Sequence, residues 1–419
     1  MKIPKTFFHV DGDAFFAACE QATTLHLRGK PIVVGYERGA ATAMSYEAKK
    51  LGVVRGSSVR DIQREFPTVT LVSSDYKKYA LYSNRFKALI ERHYTDKVEK
   101  TSIDECYVDV TGLDVSLKKS FPQIAQEMAE MLHEKLGITF SIGIGPTKTI
   151  AKIGSGMNKP HGITDITTSF LERRIYPLSI EKVPGIGARM SVRMRDKGIF
   201  TIGMYTEKTR AYVENEFARP YQALWSELRG DAVQGLEKER EAPQSISKVH
   251  AFNTHTSDPN FLCAELSRHC EVITTKLRRH NRVAYKVSCG LKTFEKMYRS
   301  REIISNSPLY SAEDVYKLVH QLFNEVHDPS IRYRATYVVI SGIKPLSKQS
   351  SFLEITSEEN QKKVDELNDV VDLINIKKGK MMIRRASSQI NVRDKIAHNA
   401  TPLIYSESGR KILDIPFCC

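Results

Sequence analysis

No stretch of this 419-residue chain is both long and apolar enough to cross a bilayer as a helix. Its charged, polar start, Met1-Lys2-Ile3-Pro4-Lys5, lacks the apolar core of a secretory leader, so a cytoplasmic protein is expected. The seven cysteines are odd in number and include no CxxC pair and no zinc-like spacing. That argues against a disulfide framework and against a metal–thiolate centre. Cys263, Cys270 and Cys289 read as reduced thiols, and Cys418-Cys419 as an incidental tail. No internal repeat is visible. Acidic residues are in deficit, 49 Asp and Glu against 63 Lys and Arg, giving a net charge of +14 and a pI near 9.3. Such an excess favours a polyanionic partner, with nucleic acid foremost.

What is present divides into several domains, because one ordinary core does not serve a chain of this length. Phe7 to Val10 reads as a buried strand, and Ala14 to about Thr23 as a helix with Phe15, Ala18, Cys19 and Ala22 on one face. Phe16 falls about 100° from that stripe, so the core does not require it. Lys30 to Gly35 is a further strand, and Tyr46 to Leu51 a helix ended by Gly52. Residues 24–75 therefore read as a small inserted α/β unit. From 76 to 166 helix, strand hairpin, helix, strand and helix alternate, with Asp104 and Glu105 at the hairpin bend. Only a bend there lets both acids serve one site, since a straight strand would point them to opposite faces.

Residues 167–233 read as mostly helical, and the charged run 234–243 as a linker. From 244 to 344 strands and helices mix, with 15 Lys and Arg against 9 Asp and Glu: a second basic domain. Beyond Pro345 a short amphipathic helix carrying Val364, Leu367, Val371 and Ile374 leads into a basic, loosely ordered tail.

Two acidic stretches carry the chemistry. Val10-Asp11-Gly12-Asp13 closes the first strand, and Ser102-Ile103-Asp104-Glu105 lies at the later bend. Carboxylates gathered from separate strand ends can hold a pair of Mg²⁺ ions for phosphoryl transfer. Any one of them alone would read as a surface acid; the two clusters framed by apolar strands favour metal. Asp13 and Asp109 have weaker claims, and His9 reads as a satisfied core histidine. Val183-Pro184-Gly185-Ile186-Gly187-Ala188 has the form of a helix-hairpin-helix loop, whose backbone N–H groups can approach a phosphate. A Pro-Gly turn between helices is also common without that role. Tyr46, Lys49 and Lys159 would suit a triphosphate and equally suit a solvated basic face, as do Lys148 and Lys152.

Together these motifs resemble those of the Y-family (DinB/UmuC-type) translesion DNA polymerases. Phe8 to Glu20 is similar to that family's first metal motif, and Ser102 to Asp109 to its second. Ala151-Lys152-Ile153, Met157-Asn158-Lys159-Pro160-His161-Gly162 and the Pro184 to Gly187 loop follow in family order. The resemblance implies an α+β, multidomain, right-hand polymerase. Its ferredoxin-like palm would be residues 1–23 and 76–166, its fingers 24–75, its helix-hairpin-helix thumb 167–233 and its little finger 244–345, with an extension at 346–419. It implies Asp11, Asp104 and Glu105 as catalytic, metal-binding carboxylates, helped by the Gly12 carbonyl. Two Mg²⁺ ions, with Mn²⁺ as a substitute, are the implied cofactors.

By the same resemblance Phe16 is the steric gate against a ribose 2′-OH, and Phe15, Phe16, Tyr46, Lys49 and Lys159 contact the nucleotide. Gly185, Gly187, Ser245, Ser247 and Lys248 are the implied DNA contacts. Gln349, Phe352 and Leu353 form a degraded sliding-clamp peptide. Implied partners are primer-template DNA, dNTPs and the clamp, with a monomer expected. Lys49 stands where DinB members usually carry Arg, Ala43 replaces a common threonine and Gly12 a bulkier residue. Two rivals remain: a palm-type nucleotidyl cyclase, which would need no primer, and a non-catalytic DNA-binding scaffold, which would be expected to have lost an acid at 11, 104 or 105.

Overall fold

Phe7, Phe8, His9 and Val10 are all buried, so the strand they form must be covered on both faces. In the computed structural model that strand, β1 (Phe7–Gly12), is central to a five-stranded sheet. The structure describes residues 4–167, 171–237, 243–346, 366–368, 370–375, 377 and 382–388. It divides into two units, Met1–Arg240 and Glu241–Cys419.

After β1 comes α1 (Phe15–Thr23), then a small sheet of β2 (Ile32–Val34), β3 (Ala43–Met44) and β4 (Thr70–Val72) with α2 (Tyr46–Lys50) and α3 (Val59–Glu65). Val33, Met44, Ala48 and Ile62 give it its own core. The chain returns through α4 (Tyr76–His93), the hairpin β5 (Val98–Lys100) and β6 (Glu105–Asp109), α5 (Leu113–Leu117) and α6 (Phe121–Leu136). It ends in β7 (Phe140–Gly145), α7 (Lys148–Met157) and β8 (Ile163–Asp165). The large sheet is ordered β5-β6-β1-β7-β8, with β1 antiparallel to both neighbours.

Strand alternation gives that sheet two different faces. Phe8, Val10, Cys106 and Val108 join Phe86 of α4 and Met128 of α6 in one core, each worth about 1.5–3 kcal/mol by burial. The opposite face takes α7 at very close range. A Cβ on Gly143 would lie 2.0 Å from the Ala151 carbonyl and 2.3 Å from the Ser155 nitrogen, so only glycine admits the helix there. The α1 stripe is wider than its apolar spacing suggests: Ala17 and Glu20 are buried as well. Glu20 can be inside because Lys78 Nζ (2.6 Å) and the Tyr79 hydroxyl (2.8 Å) both donate to it from α4.

Among the described residues five short helices follow: α8 (Leu171–Arg174), α9 (Ala188–Asp196), α10 (Ile202–Thr206), α11 (Arg210–Glu216) and α12 (Arg219–Leu228). They enclose Ile180, Val183, Ile186, Met194, Tyr205 and Leu228. The first arm of the hairpin is only a 3₁₀ turn, Ile180–Lys182, because Pro184 biases Val183 toward an extended backbone. Of the linker, residues 238–242 lie outside the described residues; Glu237 N–H donates to Glu99 Oε2 at 2.9 Å.

The second unit is built from β9 (Ser245–Thr256), α13 (Pro259–Arg279), β10 (Arg282–Thr293), β11 (Tyr298–Leu309), α14 (Ala312–Val326), β12 (Tyr333–Ser341) and β13 (Lys344–Pro345). Its sheet runs β11-β10-β12-β9, with β13 pairing β10. Leu262, Leu266, Val287, Phe323 and Val338 form its core. α13 is buried almost all round because part of the C-terminal extension docks on it. Arg278 Nε and Thr275 Oγ1 donate to Asp372 at 2.8 and 2.9 Å, and Glu271 accepts the Arg385 N–H at 2.8 Å. These bonds are made by polar groups; of the apolar residues expected on the amphipathic helix, Leu367 is exposed, Val371 and Ile374 are half-buried, and Val364 lies outside the described residues. Among the described residues no helix is long and apolar enough to cross a membrane.

Candidate active site

The site grows from the register of β1 on β6. Asp11 lies opposite Glu105, His9 opposite Tyr107 and Phe7 opposite Asp109, so Asp11, Glu105, His9 and Tyr107 share the sheet face that α7 covers. α7 answers with Lys148, Lys152 and Ser155, spaced four and three residues apart along one side. Lys148 Nζ sits over the Tyr107 ring at 4.8 Å, Lys152 Nζ lies 2.6 Å from Glu105 Oε1, and Ser155 Oγ lies 2.7 Å from His9 Nδ1. Residues 101–104 form the bend before β6, and the Gly12 N–H donates to the Asp104 carbonyl at 2.8 Å.

His9, Asp11 and Glu105 present ligand atoms within 4.8 Å of one another. The Asp104 carboxylate stands outside that group and takes the Ser102 hydroxyl instead. The Asp11 carboxyl is raised above the usual range, first by burial and also by Asp104, with Lys159 and His9 pulling the other way. Burial would raise Glu105 too, but hydrogen bonds and charge from His9 and Lys152 override it and hold the carboxyl at about 2. Carboxylate oxygens and the neighbouring Gly12 carbonyl are hard donors, the set suited to Mg²⁺ or Mn²⁺ and not to a thiophilic ion. Asp11 and Glu105 are each charge-paired here by a lysine, Lys159 and Lys152.

Around the acids lies a cationic and aromatic rim. Lys49 Nζ stands 4.1 Å over the Tyr46 ring, and its ammonium is lowered by burial and then by repulsion from Lys159. Ser45 positions both by capping α2 through the Ala48 N–H. The Tyr46 phenol is raised by burial and by Asp13 and Asp11, so it stays protonated as a donor. Phe16 is half-buried and stacks on Tyr79 with centroids 4.4 Å apart, whereas Phe15 is in the core. Tyr46, Lys49, Lys159 and the acids are thus gathered in one place.

The remaining sites are separate. Gly185 and Gly187 are exposed at the start of α9, Gly185 at φ +91° where a side chain would be strained. Ser245 and Ser247 are exposed, but Lys248 is half-buried on the alternate face of β9 with Ile246. Gln349, Phe352 and Leu353 lie outside the described residues. His9 is buried and bonded to Ser155, as a core histidine is, and it also faces Glu105 at 3.4 Å; Lys152 and Asp13 lie closer to the acids than their local sequence suggests. The period-2 spacing of His9 and Asp11 was a usable signal; nothing local marks Lys152 as the partner of Glu105.

The model of the impB/mucB/samB family matches residues 10–156, and that of its C-terminal domain matches 243–352, together more than half of the chain. DNA polymerase IV of Staphylococcus aureus strain Mu3 is 29% identical over 357 residues, which is 84% of this chain and 98% of the relative. The same enzyme of strain JH9 is 29% identical over 345 residues, 81% and 96%. A solved Y-family DNA polymerase chimera of Dbh and Dpo4 aligns with a TM-score of 0.70 at 25% identity, covering 81% of this chain and 99% of its own. An insertion ternary complex of Dbh DNA polymerase shares the fold, with a TM-score of 0.53 at 24% identity and the same coverage, 81% and 99%. With both family domains matched in order and the acids of the first brought together on adjacent strands, the chain belongs to the Y-family of DinB-type translesion polymerases and is a DNA-directed DNA polymerase.

Proposed function

We propose that this polymerase adds dNTPs to a primer 3′-OH on a damaged template by two-metal-ion phosphoryl transfer, without proofreading. In this reading residues 1–23 and 76–166 are the palm, 24–75 the fingers, 167–233 the thumb and 244–345 the little finger. The single observation that carries it is the opposition of Asp11 and Glu105 across β1 and β6, with Asp104 on the bend beside them.

Mg²⁺ bound there would lower the pKa of the primer hydroxyl and neutralise charge on the leaving pyrophosphate. Asp11, Asp104, Glu105 and the Gly12 carbonyl would hold the two ions, Asp104 turning from Ser102 to join. Lys159 leaves Asp11 for the triphosphate, where Lys49 and the Tyr46 hydroxyl also bind. His9 and Lys152 keep Glu105 ionised and aimed along the strand face. The Phe16 ring, fixed from behind by Tyr79, closes the space a ribose 2′-OH would need. Exposed N–H groups at Gly185 and Gly187 would take phosphates of DNA, as would Ser245 and Ser247 on the open face of β9. Clamp docking through Gln349, Phe352 and Leu353, and a monomeric state, belong to the same proposal.

Primer extension across an abasic site, with Mg²⁺ and with EDTA, tests this reading. Asp104→Ala should abolish extension while primer-template affinity, read by fluorescence anisotropy, is retained. Extension by that variant at more than a few per cent of the parent rate would reject the assignment.

A further inference from the structure

Asp13 holds no metal in this scheme and touches no nucleotide, yet it is 2% exposed and bonded from three directions. Ser141 Oγ, on β7, donates to Oδ1 at 2.8 Å. The backbone N–H of His161 donates to Oδ2 at 2.8 Å. The Tyr46 hydroxyl, on α2, reaches Oδ1 at 3.5 Å. Asp13 is itself tied down, its N–H donating to the Thr139 carbonyl at 2.9 Å. The next residue, Ala14, takes the left-handed conformation at φ 47°. A non-glycine residue adopts that only where its surroundings enforce it.

Two of the partners of Asp13 lead to the two arms of the proposed nucleotide site. His161 is two residues from Lys159, in a loop wound so tightly that a Cβ on Gly162 would lie 1.7 Å from the Asn158 carbonyl. Asn158 is itself tied to Thr164 Oγ1 at 3.0 Å, so Lys159 and His161 lie in one short loop pinned at both ends. Tyr46 heads the short helix that also carries Lys49, whose ammonium rests on its ring.

We propose that Asp13 is a positioning residue for the incoming triphosphate. Through the His161 N–H it sets the loop bearing Lys159, and through the Tyr46 hydroxyl it sets α2. One buried carboxylate thereby couples two arms that come from distant parts of the chain. The proposal rests on the reading of Lys159 and Tyr46 as triphosphate contacts. It predicts that nucleotide affinity depends on a side chain that meets neither nucleotide nor metal.

Asp13→Asn is nearly isosteric and its amide can keep all three partners, with its oxygen toward the His161 N–H and its NH₂ toward the Ser141 and Tyr46 hydroxyls turned to accept, but each carboxylate bond becomes a weaker neutral one. The dissociation constant of dNTP from enzyme on a dideoxy-terminated primer-template should rise roughly tenfold, the scale of hydrogen bonds to a charged group weakened to neutral ones. In single-turnover extension the apparent KM should rise in parallel, with the maximal rate and DNA affinity within about threefold of the parent. Combining Asp13→Asn with Tyr46→Phe should cost less than the sum of the two, because they share a bond. Ser141→Ala, which keeps the carboxylate, should give a smaller rise and remains informative if Asp13→Asn fails to fold.

Lys159→Ala separates the two layers of the argument. If it leaves dNTP affinity unchanged, the nucleotide reading fails and this inference with it. If Lys159→Ala weakens dNTP binding while folded Asp13→Asn does not, the positioning role alone is refuted. A loss confined to maximal rate or thermal stability would also refute it.

Discussion

Replacing Phe16 by alanine is the most quantitative test of the sugar slot. The ring is held in place: it stacks on Tyr79 at 4.4 Å with 13° between planes and meets Tyr76 edge-on at 5.7 Å. Tyr79 is fixed in turn by its hydroxyl, 2.8 Å from Glu20. A ribose 2′-OH forced against such a ring loses water and finds no acceptor, which costs roughly 2–3 kcal/mol. That corresponds to about 30- to 160-fold in relative kcat/KM. Phe16→Ala should erase most of this discrimination, measured as the ratio of kcat/KM for dCTP and CTP opposite a template guanine. The same change removes about half of a buried phenylalanine's contribution, so a stability loss of roughly 2 kcal/mol is expected in a melt recorded alongside. A folded variant whose dCTP to CTP ratio stays within about threefold of the parent would refute the gate.

Two further outcomes follow from the structure. Lys49→Arg should lower the apparent KM for dNTP by roughly three- to tenfold, because a guanidinium fork can replace the point charge now 4.1 Å above Tyr46; steady-state kinetics showing no change or a rise would count against that contact. In the second unit Glu265 is buried and held down at about 2, where His250 (2.7 Å), with His269 and Arg268, outweighs the burial that alone would raise it. A carboxyl depressed from 4.5 stabilises the fold fully above that value and loses the contribution as pH falls toward 2, a difference of about 3 kcal/mol. Glu265→Gln should therefore be costly in urea unfolding at pH 7 and cost far less at pH 2.5, where roughly a quarter of the contribution remains; an equal cost at both would overturn the linkage.

Much of this was legible along the chain, and particular residues show why. Asp11 and Glu105 each sit at the edge of a short apolar strand, a local pattern that needs no knowledge of the partner. Phe16 could be set apart from the core because helical geometry alone puts it off the stripe of Phe15, Cys19 and Ala22. Glu20 was not legible: its place inside depends on Lys78 and Tyr79, far away in sequence. Lys152 was equally opaque, a basic residue on a helix until α7 settled on the glycines of β7 and brought its ammonium to Glu105. The bonds of the extension to α13 through Asp372 and the backbone of Arg385 were not legible either, because each joins polar groups far apart along the chain.

By itself the order of residues determined which carboxylates exist, where each strand must end and how far Phe16 stands from the core, because these follow from periods of 2 and 3.6 along a single element. Only tertiary structure decided which carboxylates are drawn together, that Lys159 and Lys152 rest on them, and that Asp13 is turned inward to hold His161 and Tyr46. Those arrangements depend on strand register and on how closely one helix can approach a sheet, and both are settled by packing between residues that the chain keeps far apart.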